Sequence, residues 1–175
     1  MNLPNLLALS RLVIAPIMFF LLVNRDLPIF AHIHPSWLDY WATFLFVLAS
    51  ITDFFDGFIA REFDQITELG KILDPLADKM LTLAGFLGLM VLGRADPWAI
   101  YLILTREFFI TGLRVSAASS GKEIAASLLG KIKTIAQMIA IGFLMMNWPG
   151  GELLLWIAVA LTLYSGYEYI KAYLR

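Results

Sequence analysis

No cysteine occurs in the chain, which excludes disulfides, thiol catalysis and thiolate metal sites. Charge is scarce as well. Charged residues make up 15% of the 175 positions, where a soluble domain carries about 25%. Internal repeats and low-complexity tracts are absent, so solenoids and disordered linkers are excluded too. The first apolar run, Leu12 to Val23, has no basic stretch ahead of it and no small-x-small site behind it. It is expected to be a retained helix rather than a signal peptide. What fills the chain is hydrophobic: 60% of residues, with a mean hydropathy of +0.78. Long apolar runs with polar punctuation are the signature of membrane helices.

Six such runs are long enough to cross or nearly cross a bilayer, at about 6–23, 37–60, 72–92, 97–119, 123–146 and 152–173. Pro28 and Pro35, Gly70, Gly93 with Pro97, Gly121, and Pro149-Gly150-Gly151 separate them. Backbone polar groups in lipid must be paired within their own segment, so these runs should be helices. The expected architecture is an all-α membrane bundle of six transmembrane helices with a short amphipathic N-terminal segment. Residues 1–175 form one domain in this reading.

Six spans place both termini and the second and fourth loops on one side. That side collects Arg11, Arg61, Lys71, Lys122, Lys171 and Arg175, against Arg25 and Arg94 on the other. The positive-inside rule then puts both termini in the cytoplasm. Ten ionisable residues fall within the apolar segments: Asp53, Asp56, Asp78, Lys79, Arg106, Glu107, Arg114, Lys131, Lys133 and Glu168. Each costs about 2.5 to 3.5 kcal/mol to insert at the centre of a membrane helix. Ten together point to a polar cavity between helices, open to the cytoplasm.

Three of these, Asp53, Asp56 and Asp78, form a pattern with Asp74. Asp53 and Asp56 are three apart and share a helix face, while Asp74 and Asp78 share one at the start of the next helix. A short loop between the two helices lets all four carboxylates converge. Such a group needs a hard cation, and all-oxygen donors favour Mg²⁺ or Mn²⁺. A pair of ions there would suit a diphosphate and stabilise both oxygens of a displacement at phosphorus. Gly57 and Ala60 remove bulk beside the acids, and Arg61 offers a fork of donors for phosphate. The plainer alternative pairs the acids with Arg61, Lys71 and Lys79 as helix caps, with Pro75 in a first turn behind Asp74.

The stretch Asp53-x2-Asp56-Gly57-x2-Ala60-Arg61-x8-Gly70-x3-Asp74-x3-Asp78 resembles the signature of the CDP-alcohol phosphatidyltransferases, with all eight positions at the family spacing. The resemblance implies that Asp53, Asp56, Asp74 and Asp78 ligate the metal pair and that Asp78 is also the general base on the acceptor hydroxyl. It implies that Gly57, Ala60, Arg61 and Thr67 contact the CDP-linked lipid, CDP-diacylglycerol. It also implies a homodimer in a bacterial inner membrane. Outside the signature, Met-Asn-Leu-Pro-Asn-Leu-Leu with Arg11, Arg106-Glu107-Phe with Gly112-Leu-Arg114, Gly130-Lys131-Ile-Lys133-Thr134 with Gln137, and Ser165-Gly166-Tyr-Glu168-Tyr resemble the phosphatidylglycerophosphate synthase branch. Ala8 departs from the threonine usual there.

That branch uses glycerol 3-phosphate, an anionic acceptor that needs cations of its own. Arg106, Arg114, Lys131 and Lys133 are the candidates, with Glu107 and Glu168 orienting them. Arg106 and Arg114 stand about 12 Å apart along a helix, so Arg114, Lys131 and Lys133 are the better matched set. Alternatively Arg106 pairs with a carboxylate and the lysines reach the membrane surface. Other acceptors within the family are inositol phosphate, serine or a phosphatidylglycerol lipid. An ion or proton transporter would need polar residues along the whole route, which the crowding of the aspartates at one edge does not provide. His32 and His34 are expected to be solvated loop residues. No nucleic-acid partner is expected.

Overall fold

The computed structural model describes the backbone of residues 3–62, 68–119 and 128–173, and the side chains of 5–53, 76–117 and 128–173. Among the described residues there are six α-helices and no strand: α1 (Leu3–Val23), α2 (Pro35–Glu62), α3 (Glu68–Val91), α4 (Pro97–Ser119), α5 (Leu128–Met145) and α6 (Gly151–Tyr173). A single 3₁₀ turn, Pro28–Phe30, lies between α1 and α2.

The helix limits follow local chemistry. Pro35 opens α2, and His34 Nδ1 accepts from the amide of Ser36 at 3.3 Å, so this histidine serves a helix start. Asp96 caps α4, its Oδ1 accepting from the amides of Trp98 (2.8 Å) and Ala99 (3.1 Å), with Pro97 at the first helical position. Helix α3 ends in a Schellman motif. Gly93 turns to φ +66° while the Arg94 amide donates to Leu89 and the Gly93 amide to Met90.

The chain forms two compact units, one of Met1–Arg94 with Met145–Asn147 and one of Ala95–Leu144 with Trp148–Arg175. In the first, α1 packs against both α2 and α3, and these two meet each other. The buried stripe of α1 is Asn5, Ala8, Arg11, Ala15, Met18 and Leu22, spaced three or four apart as one helix face must be. Opposite it lie Leu38, Ala42, Phe46 and Ala49 of α2 and Ala77, Leu81 and Leu89 of α3. Gly88 lets α1 and α3 approach, since a Cβ there would stand 2.6 Å from Leu22 Cδ1.

At the start of α2 the first unit is tied by Asp39, which is buried. Arg94 grips both its oxygens, Nη1 and Nη2 each at 2.9 Å, and donates to the Met145 carbonyl at 2.8 Å. Arg25 also binds Asp39 Oδ1. Arg25 and Arg94, read from sequence as loop charges, are thus the clasp between the end of α1, the start of α2 and the end of α3. In the second unit α4 packs on α6, and α5 joins through Gln137 Nε2 donating to Thr162 Oγ1 at 2.8 Å.

The all-α expectation holds, and the membrane bundle is supported in part. Among the described residues three helices are long and apolar enough to cross a membrane by length and composition: Asn5–Val23, Leu128–Met145 and Gly151–Tyr173. Helix α4 is interrupted by three charges, Arg106, Glu107 and Arg114, while α2 carries Asp39 and Asp53 and α3 carries Asp78 and Lys79 among the described side chains. Among the described residues the expected short amphipathic N-terminal segment does not stand apart from the first span, because α1 is continuous from Leu3. The exposed surface nevertheless carries large apolar side chains such as Trp41, Phe44 and Val47 on α2 and Phe108 and Phe109 on α4. Contiguous apolar surface of this kind is that of a membrane protein.

Candidate active site

The signature residues are carried by α2 and α3, neighbouring helices of the first unit. Asp53, Asp56, Gly57, Ala60 and Arg61 fall in the last three turns of α2, which runs to Glu62. Asp74 and Asp78 fall on α3, which begins at Glu68. Asp74 is therefore inside the helix and not at its N-cap, and Pro75 is not in a first turn. The side chains of Asp56, Gly57, Ala60, Arg61 and Asp74, and Thr67 altogether, lie outside the described residues.

Asp53 shows how one carboxylate is held. Its Oδ1 accepts from Nη1 of Arg11, a residue of α1 with no solvent exposure at all. Its own side chain is 34% exposed, so the carboxylate is pinned on one side and open on the other. Asp78 is half-buried, one helix over. Thr82 Oγ1 donates to the Asp78 carbonyl at 3.1 Å, closing the backbone beneath it. Among the described residues no three His, Cys, Asp or Glu gather as a metal-binding group. The oxygen-only donors that are described, Asp53 and Asp78, fit a hard divalent cation and no softer metal.

The second unit holds the four candidate cations, and the structure divides them. Lys133, buried, binds Glu107 Oε1. Arg106 Nη1 reaches the same oxygen at 3.3 Å, and its Nη2 donates to Ser165 Oγ at 2.8 Å. Its Nε is buried without a hydrogen-bond partner among the described residues. Gly166 makes room for this guanidinium, since a Cβ there would stand 3.0 Å from Arg106 Nε. Arg114 is exposed and sits 5.3 Å over the ring of Tyr169, a cation–π contact. Lys131 is exposed on α5. Glu107 thus orients two of the cations, as its sequence position next to Arg106 allows, while Ser165 and Tyr169 were not legible as their partners.

The family model of the CDP-alcohol phosphatidyltransferases matches residues 1–164. The chain belongs to that family. It is an enzyme of the phosphatidyltransferase class, and the family is one of divalent-metal-dependent enzymes. Curated relatives cover almost its whole length. A protein of Bacillus subtilis (strain 168) named CDP-diacylglycerol–glycerol-3-phosphate 3-phosphatidyltransferase is 37% identical, over 97% of this chain and 94% of its own. A namesake from Rickettsia typhi is 39% identical over 98% and 96%. One from Escherichia coli (strain K12) is 37% identical over 98% and 94%. The CDP-alcohol phosphatidyltransferase signature is therefore the part of the first unit where chemistry is to be sought.

Proposed function

We propose that this phosphatidyltransferase moves the phosphatidyl group of CDP-diacylglycerol to the hydroxyl of glycerol 3-phosphate, giving phosphatidylglycerophosphate and CMP. The observation that carries the reading is the complete eight-position signature in a chain aligned nearly end to end with relatives named for that reaction.

Asp53, Asp56, Asp74 and Asp78 hold the divalent ions in this reading, Mg²⁺ or Mn²⁺ and two in number. Bound there, the ions offset the diphosphate charge and stabilise the entering and leaving oxygens. Gly57 and Ala60 leave space for the CDP moiety beside the backbone, Thr67 contacts it, and Arg61 grips its phosphates. Asp78 takes the proton of the acceptor hydroxyl, whose oxygen attacks the lipid-side phosphorus. The bond from that phosphorus to the CMP oxygen breaks, and CMP leaves with the electron pair. A carboxylate can serve as that base only within hydrogen-bond reach of the hydroxyl.

The acceptor's phosphate is bound by Arg106, Arg114, Lys131 and Lys133. Lys131 and Arg114 are exposed and can be reached directly, while Glu107 presets Lys133 and Arg106. A residue set with four cations suits a phosphorylated acceptor better than serine. The remaining features of the reading are six membrane crossings, a single catalytic domain, a homodimer, and a bacterial inner membrane with the active site and both termini facing the cytoplasm. Apolar surface on α2 and α4 supports the charged helices crossing with their polar residues turned inward.

An acceptor panel tests the reading. Purified protein with CDP-diacylglycerol and Mg²⁺ should release CMP with glycerol 3-phosphate and not with serine or inositol phosphate, and EDTA should stop it. Release with another acceptor alone would overturn the assignment of the cations.

A further inference from the structure

We infer that Arg11 is a positioning residue of the reaction centre: from α1 it fixes the orientation of the signature carboxylate Asp53. This rests on the reading of Asp53 as a cation ligand. Arg11 sits in the middle of the buried stripe Ala8, Ala15, Met18 and Leu22, with no exposure, and is among the largest fully buried side chains described. The other members from Ala8 to Leu22 are apolar, and the one further buried polar residue described on this face is Asn5, a turn before Ala8. A buried guanidinium is costly to desolvate, and an apolar side chain of similar volume is often at least as stabilising at such a place. Packing alone therefore does not account for an arginine here.

The arginine reaches Asp53 Oδ1, and the two hydroxyls beside Asp53 on α2 are engaged elsewhere. Ser50 Oγ donates to the Phe46 carbonyl at 2.8 Å and Thr52 Oγ1 to the Ala49 carbonyl at 2.8 Å. Both hydroxyls are thus used on their own helix. Arg11 is left to set the rotamer of Asp53, from a helix that packs on both signature helices. With Oδ1 held from the buried side, Oδ2 is the oxygen left to face a ligand. A planar guanidinium fixes a carboxylate plane in a way that an ammonium does not. Residues that orient a metal ligand from behind typically change metal affinity or activity by about 10–100-fold when removed.

The test is Mn²⁺ titration of the full chain in detergent, followed by electron paramagnetic resonance, for wild type, Arg11→Met, Arg11→Lys and Asp53→Asn. Arg11→Met should raise the Mn²⁺ dissociation constant about 10–100-fold, and Arg11→Lys should fall between it and wild type. Wild-type Mn²⁺ affinity in both Arg11 variants, with weakened binding in Asp53→Asn, would overturn the role of Arg11 alone. Wild-type affinity in Asp53→Asn would instead remove the ligand reading, and this inference with it. A melting scan accompanies each titration; if Arg11→Met does not fold, Arg11→Lys decides by the same affinity criterion.

Discussion

Replacing Asp39 by alanine should destabilise the first unit by about 3–5 kcal/mol, the usual loss when one partner is taken from a buried ion pair. The structure makes the upper part of that range the expected one. Asp39 accepts two hydrogen bonds from Arg94 at 2.9 Å each and another from Arg25. Side-chain exposure is only 10% for the aspartate and 14% and 18% for Arg25 and Arg94, so water cannot replace what is lost. Two guanidinium groups would then face each other without a counter-ion, each left with one backbone partner, the Met145 carbonyl for Arg94 and the Leu22 carbonyl for Arg25. Thermal and denaturant unfolding in detergent, followed by tryptophan fluorescence, provides the assay, with Trp37 and Trp41 close by on α2. Adding Arg94→Met to Asp39→Ala should recover part of the loss, because it removes one of the orphaned charges. The site itself should keep its chemistry in the folded fraction, since Asp53 lies about 21 Å further along α2 at 1.5 Å per residue. A change below about 1 kcal/mol, the scale of an exposed pair, would refute the clasp.

Gly88→Val should cost about 1–3 kcal/mol by overpacking α1 against α3, as the new Cβ would stand 2.6 Å from Leu22 Cδ1; Leu22→Ala in the same chain should return part of it in the melting assay. Glu107→Ala releases Lys133 and Arg106 from their shared oxygen. It should raise KM for glycerol 3-phosphate about tenfold, matching the ~1.5 kcal/mol of one charge-assisted hydrogen bond, with KM for CDP-diacylglycerol little changed. Equal rises in both constants would argue against an acceptor role for these cations.

Much of the helix plan was legible because apolar runs in a membrane chain are bounded by a few strong breakers. Gly93, Pro97 and Pro149-Gly150 mark ends that the structure keeps. The start of α3 was not, since Pro75 invites a helix start behind Asp74, whereas the helix tolerates the proline and begins at Glu68. Partners across the bundle were hidden for a different reason. Arg25 and Arg94 look like loop charges until folding brings both to Asp39, and no local spacing signals a contact between residues so far apart in sequence. Arg11 carried a trace, standing three after Ala8 and four before Ala15 on a face that is apolar from Ala8 to Leu22 apart from it. An ionisable residue on the buried stripe of a helix is a sign that could have been read from periodicity alone. Glu107 beside Arg106 was visible as a neighbour, but its bond to Lys133 depends on how α5 meets α4.

The most direct measurement is transfer of labelled glycerol 3-phosphate into chloroform-soluble lipid by the purified chain with CDP-diacylglycerol, run beside Asp78→Asn. The account predicts labelled phosphatidylglycerophosphate from the wild type, formed one for one with CMP, and a loss of at least about 100-fold in the folded variant, which lacks the general base. Undiminished transfer by Asp78→Asn, or no labelled lipid from folded wild-type protein, would contradict it.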